Sequence, residues 1–149
     1  MEEDFAKYLE RVRAHRAELR DSMTAVDEAL ASPIEGADWR DRVRAAVAEL
    51  AHDFRTHVEL TEGEGGLYAD VRASSPRLSG KVRRLMGEHT RYAVHLQSLL
   101  ARIDGEGELA DPAALREEIT ALVGQLVRHR QAGSDLVFEA YEVDIGGSG

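Results

Sequence analysis

Residues 75–107 read SPRLSGKVRRLMGEHTRYAVHLQSLLARIDGEG. Ser75-Pro76 is a helix start. Serine is a favoured cap, and proline at the first helical position lacks only an N–H that the first turn leaves unpaired anyway. Leu78, Val82, Leu85, Tyr92, Leu96, Leu99 and Ile103 then recur at helical spacing, and Asp104-Gly105-Glu106-Gly107 ends the run. One polar residue interrupts this apolar stripe. His89 follows Leu85 by four positions and precedes Ala93 by four, so the helix carries an imidazole on its buried face.

The pattern repeats on both sides. Downstream, Asp111-Pro112 is again a cap followed by proline. It opens a stripe of Leu115, Ile119, Leu122, Leu126, Leu136, Val137 and Ala140, with His129 three after Leu126. Upstream, Asp38 is read as an N-cap with Asp41 at the third helical position. Trp39, Val43, Val47, Leu50, Phe54 and Val58 follow, with His57 three after Phe54. The run Thr61-Glu62-Gly63-Glu64-Gly65-Gly66 should bend or interrupt this helix before periodicity resumes from Leu67 to about Ala73. The first segment, Glu2 to Ala31, has the stripe Phe5, Leu9, Val12, Leu19, Met23, Val26 and Leu30, includes His15, and stops at Ser32-Pro33. Four helices joined by short links predict an all-α, antiparallel up-down-up-down four-helix bundle. It is expected to occupy residues 1–145, with a disordered tail at 146–149.

Composition agrees. The chain has 149 residues, one domain's worth, with 43% hydrophobic and only 5% aromatic residues. A formal charge of -9 opposes binding to a phosphate backbone, so nucleic acid is not an expected partner. The absence of cysteine excludes disulfides and thiolate ligands. The start MEEDFAKYLE lacks the basic and apolar regions of a signal peptide, and no stretch approaches the ~20 apolar residues of a membrane span. A cytoplasmic protein without membrane contact is expected. No feature sets an oligomeric state.

Height along the bundle supplies a second test of the histidines. His15 lies 16 residues before Ala31, His57 lies 19 after Asp38 and His129 lies 18 after Asp111. At about 1.5 Å per residue, these agree within about 4.5 Å. His89, 14 after Ser75, matches His57, 17 before Ser74, equally well. One histidine per helix is therefore expected in a single layer. His52 and His95 share faces with Glu49, Arg55 and Glu59, or with Glu88, Arg91 and Ser98, and are expected in solvent. Burying four unpaired imidazoles would cost about 1–3 kcal/mol each. A metal ion accepts their lone pairs and turns that cost into binding energy.

From about Phe5 to Tyr141, the order His15, His57 with Glu62, Glu88-His89, and His129 with Asp135 resembles the hemerythrin-like (HHE cation-binding) family. The resemblance implies a four-helix bundle around non-haem iron, usually a pair of ions. It also implies oxygen binding, oxygen or nitric oxide sensing, iron–sulfur repair or peroxide chemistry. The implied ligands are His15, His57, Glu62, His89, His129 and Asp135. The chain departs from the family pattern where bridging carboxylates are usual. Four after His57 stands Thr61, and four and five after His129 stand Gly133 and Ser134. Ala93 stands where some members have a second histidine after the one on the third helix.

Thr61, Ala93 and Gly133 are all small and one turn from an expected ligand, which leaves space beside a metal. The alternative for Gly133 is close helix packing. Tyr68, Tyr92 and Tyr141 are candidate hydrogen-bond donors to a bound oxygen species. Three readings remain open. The first is a non-haem iron protein, with one or two ions, for a diatomic gas or peroxide. The second is a haem protein using one or two of the histidines as axial ligands. The third is an interaction module with zinc or no metal.

Overall fold

The computed structural model describes residues 2–141, with side chains from residue 6 onward. The Phe5 side chain, the domain end at residue 145 and the tail at 146–149 lie outside the described residues. The architecture is all-α: α1 (Glu2–Ala31), α2 (Trp39–Glu62), the short α3 (Leu67–Ser74), a 3₁₀ turn (Pro76–Leu78), α4 (Ser79–Asp104) and α5 (Pro112–Phe138). Among the described residues there is no strand, and no helix is long and apolar enough to cross a membrane.

The main helix contacts close a ring. α1 packs on α2 and α5, and α4 packs on α2 and α5. Two apolar clusters fill the interior. One gathers Leu19, Met23, Phe54, Tyr92, Leu96, Ile119 and Leu126, with others. The second is built on Val12, Leu67, Tyr68, Leu78, Leu85 and Leu136. On α4, His89 lies between Leu85 of one cluster and Tyr92 of the other. On α5, His129 lies between Leu136 and Leu126. The buried histidines thus occupy the seam between two hydrophobic layers.

The helix boundaries follow local chemistry, with two corrections. Asp111 caps α5 as expected, accepting from the Ala114 amide at 3.0 Å. Asp38 precedes α2, but its carboxylate caps nothing. Its backbone is already near-helical (φ -93°, ψ -8°), whereas a capping side chain needs an extended residue. Ser75 does not cap either. Its carbonyl accepts from the Leu78 amide at 2.9 Å, the chain enters α4 through a tight 3₁₀ turn, and the hydroxyl is buried without a partner. Arg40, at the start of α2, gathers the loop after α4. It donates to the carbonyls of Ile103 (2.9 Å), Gly105 (2.6 Å) and Gly107 (2.6 Å).

Candidate metal centre

His57 on α2, His89 on α4 and His129 on α5 each bring a ring nitrogen within 4.8 Å of the others. Ring centroids are 5.0 Å apart for His57–His89, 5.7 Å for His57–His129 and 4.7 Å for His89–His129. Phe54, fully buried, touches all three rings at 5.6–6.0 Å and closes the layer on one side. Tyr68 of α3 stacks on His89 at 5.6 Å from the other cluster.

Two of the rings are held by carboxylates. His89 Nδ1 lies 2.5 Å from Glu62 Oε2, and His129 Nδ1 lies 2.7 Å from Glu88 Oε1. A carboxylate accepts and does not donate, so each Nδ1 carries the proton and Nε2 carries the lone pair. His57 Nε2 is buried with no hydrogen-bond partner. Histidines that bind metals typically donate the opposite ring N–H to a carboxylate in this manner.

Burial keeps the rings neutral. It lowers the pKa of His57 to about 3, helped by His129, Arg16 and His15. Burial likewise takes His89 down to about 2, with His57 and His129 adding to the effect. His129 is lowered by burial against the opposing pull of Glu88. Neutral imidazoles are the form a metal requires. An ion about 2.0–2.1 Å from each nitrogen requires nitrogens gathered within a few ångströms of one another, as these are. The orphaned His57 nitrogen and the oriented lone pairs fit such an ion in donor type, tautomer and charge.

The local backbone explains how Glu62 reaches its place. Thr61 donates its hydroxyl to the His57 carbonyl at 2.9 Å, and α2 stops one residue later. Gly65 has φ +71°, and a Cβ on Gly66 would fall 2.7 Å from the Gly63 carbonyl oxygen, so the turn requires glycine. Tyr8 staples this break, donating to the Leu60 carbonyl and accepting from the Leu67 amide at 2.5 Å. With α2 ended, the Glu62 carboxylate turns to the outer nitrogen of His89. It orients a candidate ligand from behind and does not belong to the group formed by His57, His89 and His129.

His15 is not part of the cluster. Val12 and Leu19 mark the core direction of α1. At about 100° per residue, His15 and Arg16 fall about 50° to either side of it. Arg16 takes the side facing the site. His15 is 30% exposed, and its Nδ1 approaches Glu18 at 3.1 Å without hydrogen-bond geometry. Asp135 is also displaced. α5 is unbroken to Phe138, so a residue six after His129 points away. Asp135 is exposed and accepts from Gln131 Nε2 at 2.9 Å. His52 is exposed as expected, whereas His95 is half-buried and bonded to Glu118 at 2.9 Å. Glu88 shares the polar face of His95 in sequence, yet it reaches His129. It sits at the edge of the α4 stripe, and only the position of α5 reveals its partner.

A small cavity of about 20 Å³ adjoins His57 and His129, lined also by Thr61, Tyr68, Arg16, Arg130 and Gly133. Two of the three expected small residues thus border open space, while Ala93 does not. A Cβ on Gly133 would meet nothing within 4 Å, so this glycine is not there for close helix packing. Wider hollows, such as one of about 580 Å³ bordered by Asp27 and Arg116, are open grooves remote from the histidines. Tyr92 packs edge-on against His129 at 5.8 Å, and the Tyr141 hydroxyl is bonded to Asp70. Comparison with family models, with curated proteins and with solved structures finds no match to this chain.

Proposed function

We propose that this chain is a hemerythrin-like metal protein. It holds iron at His57, His89 and His129 and binds, senses or reacts with a small oxidant or gas in the adjoining cavity. The observation that carries this reading is the pairing of buried, neutral His89 and His129 with Glu62 and Glu88, which puts their lone pairs on Nε2, that of His89 in a long 3.4 Å contact with the Tyr68 hydroxyl, beside one orphaned nitrogen on His57. The bundle is read as up-down-up-down. In support, Leu30 and Trp39 at the α1–α2 link share a cluster with Ile103 and Leu115 at the α4–α5 link, and Arg40 binds the carbonyl end of α4. A cytoplasmic location goes with this reading.

Three neutral donors and no carboxylate among them favour a single ion over a charge-rich pair. Bound iron would supply Lewis acidity, redox capacity and an open position for a diatomic or peroxide ligand. The chain's own contribution is shape, dryness and hydrogen bonding. Val12, Leu67 and Val137 exclude water from the cavity wall. The Tyr68 hydroxyl lies 3.4 Å from His89 Nε2, and burial raises its pKa, so it remains a donor at neutral pH. A cavity of about 20 Å³ admits a molecule of a few atoms. It is far below the ~300 Å³ of organic-ligand pockets, which counts against haem.

The test is metal analysis of protein purified without chelators, beside His57→Ala and His129→Ala. About one equivalent of iron in the parent, lost from both variants, supports the reading. Less than about 0.2 equivalents, with stability unchanged by chelators, would favour the metal-poor interaction module. An intense band near 400 nm would favour haem.

A further inference from the structure

The cavity wall between α1 and α5 contains two arginines that lack acidic partners. Arg16 and Arg130 both line it, and neither forms an ion pair with a described carboxylate. Exposed arginines such as Arg128 are solvated without an acidic partner, whereas Arg16 and Arg130 are half-buried beside the histidines. Elsewhere Arg44 has Asp104, Arg102 has Glu118, and Arg40 has three carbonyls. Arg16 makes one long bond, from Nη2 to the Arg130 carbonyl at 3.4 Å. Arg130 Nε is buried with no partner at all.

The other polar groups around the cavity do not compensate. Thr61 has given its hydroxyl proton to backbone carbonyls, and Tyr68 is a protonated phenol. The cavity therefore gathers two cations, one of them with an orphaned donor, and contains no acid. The charge of Arg130 acts unfavourably on Arg16, and an anion held between the two relieves that repulsion. The planar guanidinium fork matches oxyanions in particular. The volume, about 20 Å³, exceeds the 10–15 Å³ a single water needs and limits the occupant to a few heavy atoms.

We infer that Arg16 and Arg130 form a binding site for a small inorganic oxyanion of nitrite size, set against His57 and His129 in this cavity. The site stands on the arginines alone and does not depend on a metal.

The test uses the full chain after chelator treatment, at fixed pH and ionic strength, with sodium nitrite replacing sodium gluconate. Nitrite at tenfold over its dissociation constant should raise the unfolding midpoint by about 4–5 °C. Arg16→Gln and Arg130→Gln should each weaken nitrite binding at least tenfold. Arg130→Lys should do so as well, because lysine keeps the charge and loses the fork. Arg128→Gln, an exposed change of equal charge on the same helix, should leave binding intact. Equal responses from Arg128→Gln and Arg130→Gln, or no nitrite effect in the parent, would overturn the inference. If the cavity variants do not fold, the parent protein decides by size. Formate should stabilise like nitrite, and benzoate should not. Stabilisation by benzoate to the same degree would also overturn it. Metal content measured on the same preparations separates failure here from failure of the iron reading.

Discussion

Metal-free protein should lose stability steeply between pH 7 and pH 5. The unfolded chain's histidines take up protons below about pH 6.5. In the folded chain, burial delays this uptake in His57 until about pH 3 and in His89 until about pH 2. The unfolded state therefore binds more protons throughout this window, and stability falls as pH falls. Each pH unit below 6.5 costs about 1.4 kcal/mol per histidine. At pH 5 that is about 2 kcal/mol for His57 and as much for His89. A sum of about 4 kcal/mol is a large share of the 5–15 kcal/mol typical of a domain. Glu62 acts in the opposite sense. Burial raises its pKa, so the folded state protonates it first and trims the loss near pH 5. Urea unfolding at a series of pH values, with chelator present, reads the slope directly. His57→Leu removes one of the contributions, beside those of His89 and His129, and should make the slope measurably shallower. A stability that is flat from pH 7 to pH 5, or a slope unchanged in His57→Leu, would refute the account of these rings as neutral, desolvated bases.

Further outcomes follow from the same contacts. Glu88→Gln and Glu62→Gln should each lower iron affinity about 10–100-fold with helix content unchanged, measured by competition with a chromophoric chelator; affinity equal to the parent's would remove their orienting role. Phe54→Ala should cost about 3–5 kcal/mol in urea unfolding, because the ring is fully buried and supports all three histidines. Gly133→Ala should stabilise the protein by about 1 kcal/mol, since its new methyl group meets open space within a helix. Gly133→Val fills more of the cavity and should weaken nitrite binding in the same thermal assay. Arg40→Ala should cost about 1–3 kcal/mol by releasing three carbonyls after α4.

The extent to which this molecule can be read from its sequence depends on how far each feature reaches through space. The four long helices, helix ends near Ala31 and Asp104, and the buried stripes are legible, because a period of 3.6 assigns each side chain a face and proline, glycine and capping residues act locally. The same periodicity puts His57, His89 and His129 inside. It fails for His15, because two residues at the margins of one stripe compete for a single place, and the packing of α1 on α5 awards it to Arg16. The carboxylates mark a second limit. Glu62 and Glu88 do not stand at a ligand spacing from any histidine on their own helices. Glu62 reaches His89 across from α2 to α4, and Glu88 reaches His129 across from α4 to α5. Spacing within a helix carries no information about such pairs. A search along each helix for carboxylates near its histidine therefore selects Asp135, which points to solvent, assigns Glu62 to a ligand's place beside His57, and passes over Glu88. Two carboxylates thus stand behind the imidazoles, where each accepts from Nδ1 and so fixes the lone pair of its ring on the opposite nitrogen.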